Sequence, residues 1–83
     1  MAATIVLEEE PYRLITDGDE HYAVIEARDG LVYSLHSHDR HEAPDTAEGM
    51  AAVVGDGWCK PSMAMERFQY MTRHEARYSE MIW

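Results

Sequence analysis

The stretch HYAVIEARDGLVYSLHSH, residues 21–38, decides the fold because its local chemistry defines a β-hairpin. Two runs of alternating β-branched and aromatic residues flank Asp29-Gly30, and this dipeptide suits a type I′ turn, whose two central residues both need positive φ. A two-residue turn pairs Arg28 with Leu31 and thereby sets the register of both strands. The sequence therefore predicts a central hairpin on which the rest of the chain packs.

Counting this register away from the turn divides the hairpin side chains between two faces. One face is bulky and is predicted to cover the core; it contains Tyr22, Val24, Glu26, Leu31, Tyr33 and Leu35. The other face has small residues near the turn and histidines at the far end; it contains His21, Ala23, Ile25, Ala27, Val32, Ser34, His36 and His38. The same register places His21 opposite His38.

Two short strands are predicted before the hairpin. Residues 3–7 form the first, which ends at three adjacent glutamates followed by Pro11. Residues 12–16 form the second, either as a strand that begins just after the proline or as an edge strand, because proline cannot donate to a ladder. The turn at residues 17–20 then leads into the hairpin, with Gly18 supplying backbone freedom.

Two helices are predicted after the hairpin, once the polar residues 39–43 have led to Pro44. Asp45 with Glu48 three residues later is a capping box, which opens a short helix that ends around Gly55. Residues 62–83 are rich in good helix formers, and an apolar stripe recurs at close to 3.6 residues through Ala64, Phe68, Met71, Glu75, Tyr78 and Ile82. This pattern favours one helix, and the competing interpretation is a strand at residues 68–72 or 78–83.

Together these elements predict an α+β fold in one domain, residues 1–83. The predicted architecture is a small antiparallel sheet of three or four strands around the central hairpin (residues 21–38), packed on one face by two C-terminal helices. The single cysteine, Cys59, excludes an internal disulfide and fits a reducing cytosol. The sequence has no long apolar run and no basic region before a hydrophobic one, so we expect a cytoplasmic protein without a membrane span or signal peptide.

The charge of the chain is concentrated in its first two thirds. Residues 1–56 contain 13 acidic and 3 basic residues, a net charge of −10, whereas residues 57–83 contain 3 acidic and 4 basic residues, a net charge of +1. The total of −9 argues against direct binding to nucleic acid or anionic lipid and favours a basic partner. Six carboxylates that bracket the second predicted strand are the candidate partner-binding residues: Glu8, Glu9, Glu10, Asp17, Asp19 and Glu20.

Histidines supply the alternative hypothesis, a metal-binding protein. His36, His38 and His41 lie close together in the sequence, His21 lies across the hairpin, and neutral imidazoles bind zinc, nickel or copper. The spacing matches no named zinc signature, so a partly solvated histidine end of the sheet is the favoured interpretation. The sequence thus predicts no cofactor and no bound metal.

Catalysis has little support in the sequence. Cys59 lies between Trp58 and Lys60 near a helix start, where a thiol pKa can fall, but a lone cysteine is more often a small buried hydrophobe. We therefore predict no catalytic residue and no enzymatic activity. A Met-rich stripe on the last helix could support self-association, so the expected state is a monomer or weak homodimer.

In its length, its acidity and its lack of any motif, with charge concentrated in Glu8-Glu9-Glu10 and at residues 17–20, the chain resembles small acidic phage-encoded inhibitors of bacterial defence, including anti-CRISPR proteins. The resemblance concerns general character and assigns no role to any residue. It implies a stoichiometric inhibitor that mimics nucleic acid and blocks a basic, nucleic-acid-binding surface of a partner, such as a CRISPR effector complex.

Overall fold

A five-stranded antiparallel sheet and two helices form an α+β fold, in a computed structural model that describes residues 2–35 and 41–82, with side chains described up to residue 73. The strands follow one another across the sheet in sequence order. They are β1 (Thr4–Glu9), β2 (Tyr12–Thr16), β3 (Tyr22–Arg28), β4 (Leu31–Ser34) and β5 (Glu42–Pro44), and the helices are α1 (Ala47–Val54) and α2 (Pro61–Ile82). The predicted fold class is confirmed, with five described strands where three or four were expected.

The central hairpin forms as predicted. Arg28 pairs with Leu31, and Asp29 and Gly30 have φ values of 53° and 79°, the positive values that a type I′ turn requires. The counted register holds from Arg28 and Leu31 to Ile25 and Ser34, where β4 ends. Within the described residues the hairpin is therefore shorter than predicted, because Val24 does not pair with Leu35 and Tyr22 pairs with Cys59 instead. The predicted pairing of His21 with His38 falls outside the described residues.

Strand β1 is longer than predicted, because the glutamates continue the strand instead of ending it. Glu8 pairs with Arg13 and Glu9 with Tyr12. The acidic side chains therefore lie on an edge strand, where solvent and one arginine stabilise their charge. Val6 is an extra residue between the pairs that Ile5 and Leu7 make with β2, which is a β-bulge. Strand β2 begins directly after Pro11, as one of the two predicted alternatives states, and it lies inside the sheet.

Strand β5 was not predicted, since its residues read as a polar loop. Glu42 pairs with Tyr33 and Pro44 with Leu31, at the outer edge of the sheet. Proline is tolerated there because no further strand needs its missing N–H. The segment is short and has few apolar residues, so its sequence pattern does not indicate a strand. Its pairing with β4 is what defines it.

The two helices lie on opposite faces of the sheet, so the prediction that both cover one face is wrong. Helix α1 packs on the face that contains Ile25 and Val32, and helix α2 packs on the face that contains Leu14 and Val24. The face that was not predicted to cover the core also contributes to it, since Ile25 and Val32 are both 0% exposed. Both faces of β3 carry apolar side chains, and one helix cannot cover two faces.

The start of α1 differs from the prediction by one residue. Thr46 is the N-cap, because its Oγ1 accepts the backbone N–H of Gly49 at 2.9 Å. Asp45, the predicted cap, instead forms an ion pair with Arg13. The apolar stripe of α1 is confirmed, since Met50, Val53 and Val54 are buried.

The last segment is one helix, as the 3.6-residue pattern indicates, and residues 68–72 and 78–82 are not strands. Pro61 occupies the first position, where its missing N–H is no loss. Ala64 and Phe68 are buried against β2 and β3, and Met71 packs beside them. None of the described helices has the length and apolar character needed to cross a membrane.

Candidate functional site

The two predicted acidic clusters lie at opposite ends of β2. Glu9 pairs with Tyr12 at the start of the strand, whereas Asp17 follows Thr16 at its end. A five-residue strand separates its ends by about 15 Å. The six candidate carboxylates therefore do not form one surface.

The first cluster is Glu8, Glu9 and Glu10. Two carboxylates that were not among the predicted residues, Asp29 and Asp45, lie at the same end of the sheet. The backbone N–H of Ala27 donates to the carbonyl O of Pro11 at 2.7 Å, which places the β1–β2 turn beside the hairpin turn at Asp29. The backbone N–H of Asp45 donates to the carbonyl O of Gly30 at 3.0 Å, which adds Asp45 to the same end of the sheet. We call this group the acidic end; it consists of Glu8, Glu9, Glu10, Asp29 and Asp45.

Arg13 forms ion pairs with two members of the acidic end, Glu8 and Asp45. Its Nε donates to Glu8 Oε2 at 2.5 Å, and its Nη1 and Nη2 donate to the two carboxylate oxygens of Asp45 at 2.6 and 3.1 Å. The Arg13 side chain is only 13% exposed. Hydrogen bonding to this guanidinium lowers the pKa of the Asp45 carboxyl below its ordinary value.

The remaining three members are exposed to solvent. Glu9, Glu10 and Asp29 form no ion pair with any side chain that the structure describes. Arg28, which lies next to the hairpin turn, forms an ion pair with Glu26. Glu9 lies at the end of β1, Glu10 in the β1–β2 turn and Asp29 in the hairpin turn, so their exposed carboxylates can bind an external cation.

We expect the Asp45→Asn variant to lose about 1 kcal/mol of unfolding free energy at pH 7, because the bidentate pair with Arg13 is partly screened by solvent. The folded-state pKa of Asp45 is depressed, so the contribution of the pair is complete above the ordinary carboxyl pKa and is lost as pH falls through the folded-state value. Urea denaturation from about pH 3 to pH 7 measures this, and the difference between wild type and variant should shrink as pH falls.

Asp56→Asn is the matched control, since Asp56 is exposed and forms no ion pair with a described residue. Its unfolding free energy should follow the wild type at every pH. A difference between wild type and Asp45→Asn that stays constant or grows toward low pH would contradict the assignment of the pair.

In the second cluster, Asp17, Asp19 and Glu20, one carboxylate is bonded within its own turn. The backbone N–H of Asp19 donates to Asp17 Oδ1 at 2.8 Å and lowers the pKa of Asp17, and the His21 ring lies 3.1 Å from Asp17 Oδ2. Asp17 thus stabilises the turn, while Asp19 and Glu20 are exposed. This cluster offers two exposed carboxylates, at the far end of β2.

The histidine hypothesis is only partly covered by the described residues. His21 is 57% exposed beside Asp17, and His41 is an exposed residue whose backbone bonds to Ser34. His36 and His38 lie outside the described residues. Within residues 2–35 and 41–82, no three His, Cys, Asp or Glu side chains converge as a metal site would need. The described residues do not test the alternative hypothesis of a metal site at the four histidines.

Cys59 has a structural position beside the first residue of β3. Its backbone N–H and C=O both bond to Tyr22 at 2.8 Å, in the place beside β3 that β4 does not reach. Its Sγ lies 3.2 Å from the carbonyl O of Tyr22, and the side chain packs against the core under α2. The sequence pattern gave no sign of this bridge, because a single pair has no periodicity.

Strand β1 exposes an apolar surface next to the acidic end. Ile5, Val6 and Leu7 are 40%, 43% and 43% exposed, and among the described strands β1 pairs with β2 alone. A groove of about 470 Å³ runs between β1 and α2, with Leu7 and Glu9 on one side and Phe68 and Arg73 on the other.

Comparison with protein-family models, curated proteins and solved structures found no match to this chain.

Proposed function

We propose that this chain is a non-enzymatic interaction protein that binds a basic surface of a partner protein through its acidic end and blocks that surface stoichiometrically. The observation that supports this is a group of three exposed carboxylates, Glu9, Glu10 and Asp29, which lie at one end of the sheet and form no ion pair with a described side chain. The partner class is a protein or nucleoprotein complex that normally holds nucleic acid, of which a CRISPR effector complex is an example.

The electrostatics of the chain suit such a partner. Carboxylates held at fixed positions can replace phosphates in a basic site, and they do so without the ordering cost of a flexible acidic tail. The net charge of −9 accelerates encounter with a basic protein and disfavours nucleic acid itself. Affinity for the partner should therefore fall as salt concentration rises.

The experiment compares two variants with equal net charge. Glu9→Lys with Glu10→Lys reverses the acidic end, and Asp19→Lys with Glu20→Lys reverses the other end of β2; each changes the net charge from −9 by +4 to −5. Immobilised wild type and variants are used to capture proteins from the native host lysate at about 50 mM and about 500 mM salt. Captured proteins are identified by mass spectrometry, and the purified partner is then titrated.

We expect wild type and the Asp19, Glu20 variant to capture the same basic protein at low salt, with release at high salt. The Glu9, Glu10 variant should bind the purified partner at least about tenfold more weakly, and an oligonucleotide ligand of that partner should compete. Equal weakening by both variants would show that only net charge matters. An affinity for the partner that changes neither with salt concentration nor on charge reversal would refute the proposed function.

A further inference from the structure

The two edges of the sheet differ in how well they are protected. Strand β5 has three residues and contains Pro44, both of which discourage pairing with another strand. Strand β1 has six residues, every one exposed, with Ile5, Val6 and Leu7 at its centre. No strand in the described part of the chain pairs with the outer side of β1, so its outward N–H and C=O groups can pair with an additional strand.

Strand β1 is bonded to the rest of the fold near both of its ends. Ala3, just before it, is 4% exposed, and its N–H donates to the carbonyl O of Ala47 in α1 at 2.9 Å. Near the other end, the ion pair from Arg13 fixes Glu8. A strand that is already ordered binds an extended segment with a smaller entropy cost.

The groove between β1 and α2 offers a pocket for a side chain of such a segment. Leu7 pairs with Leu14, so both lie on the α2 face, and Phe68 and Met65 form the opposite wall. Ile5 pairs with Ile15 and lies on the α1 face. Of the exposed aliphatic residues of β1, only Leu7 lines the groove.

We propose that β1 is a docking edge for an extended basic segment of the partner, which adds antiparallel to β1 as a sixth strand. The N-terminal basic residues of the segment face Glu9 and Glu10, and an apolar side chain enters the groove beside Leu7. The bulge at Val6 directs the pairing to the regular part of the strand from Leu7 onward. This inference rests on the proposed function and specifies how the partner is held.

Charge complementarity selects this occupant over a second copy of the chain. Two copies would each bring a net charge of −9, and each would bring its own three glutamates to the shared edge. A segment with lysine or arginine at its N-terminal end would instead face Glu9 and Glu10, which are not ion-paired to any described residue. Arg73 lines the α2 wall of the groove and is the only cation there among the described residues.

The probe is a fluorescein-labelled peptide of sequence KRKVTVT, measured by fluorescence anisotropy with the full chain at about 50 mM salt. Two modified peptides carry backbone N-methyl groups, one at both valines and the other at both threonines. An added strand uses the N–H groups of alternate residues, so one modified peptide should lose affinity at least about tenfold and the other much less. Charge and side chains are the same in all three peptides.

Protein variants test the groove with a matched pair. Leu7→Ser should weaken binding of the parent peptide about fivefold or more, whereas Ile5→Ser, equally exposed on the other face, should change it less than about twofold. Circular dichroism melts verify that each variant is folded. Because the N-methyl comparison uses wild-type protein, it decides the question even if a variant does not fold.

Three results would overturn strand docking. The first is equal binding of both N-methylated peptides together with loss of binding on Glu9→Lys and Glu10→Lys, which would leave charge attraction, and hence the proposed function, intact. The second is no binding of the parent peptide at low salt, in which case the lysate capture tests the proposed function separately. The third is concentration-dependent self-association abolished by Leu7→Ser, which would identify a second copy as the occupant.

Discussion

The Ile25→Ala variant is expected to lose about 3 to 5 kcal/mol of unfolding free energy, the largest effect that we predict for a single substitution. Ile25 is 0% exposed at the centre of β3, the middle strand of the sheet, and its side chain packs against α1. Truncation removes apolar contacts and leaves a cavity that a sheet covered on both faces cannot close. A domain of this size has about 4 to 12 kcal/mol of stability in total, so a large part would be lost.

Urea denaturation followed by circular dichroism measures this loss, and Ile5→Ala is its control. Ile5 has the same side chain in a strand of the same sheet but is 40% exposed, so we expect a change of less than about 1 kcal/mol. A similar loss at both positions would contradict the described burial. A loss below about 1 kcal/mol at Ile25 would show that α1 does not pack on this face.

The Gly49→Ala variant is expected to lose about 2 to 3 kcal/mol, although glycine to alanine within a helix normally stabilises a protein by about 1 kcal/mol. A Cβ at this position would stand 2.0 Å from the carbonyl O of Pro44 and 3.1 Å from Thr46 Oγ1. The first contact is with backbone, which cannot move without displacing the end of β5 from the start of α1. Overpacking therefore outweighs the helix propensity of alanine.

The control for this prediction is the opposite substitution on the same helix. Ala52 is exposed in α1, so Ala52→Gly should lose about 1 kcal/mol through helix propensity alone. Thermal unfolding of the two variants should therefore show that alanine is favourable at position 52 and unfavourable at position 49. Stabilisation by Gly49→Ala would mean that α1 does not start against Pro44.

The parts of the fold that the sequence predicts correctly depend on neighbouring residues. The hairpin register follows from Asp29 and Gly30, because the turn type is chosen by the φ angles of two adjacent residues. Helix α2 follows from a run of good helix formers with a continuous apolar stripe. In both cases the deciding interactions lie within a few residues along the chain.

The errors concern elements that are defined by distant partners. Strand β5 exists because β4 offers a free edge, and Glu8 and Glu9 remain in β1 because Arg13 and Tyr12 pair with them. Asp45 has the sequence of an N-cap but is bound by Arg13, 32 residues away, so Thr46 caps the helix instead. No local pattern contains these pairings.

The sequence by itself determined the α+β class, the central hairpin and the acidity of the first 56 residues, since composition and local propensity are properties of the chain. Only the tertiary structure decided which carboxylates meet. It put Glu9 and Glu10 beside Asp29, moved Asp19 and Glu20 to the other end of β2, and used Glu8 and Asp45 to bind Arg13. The physical reason is that strand pairing and helix packing bring together groups far apart in sequence, and no periodicity along the chain encodes that proximity.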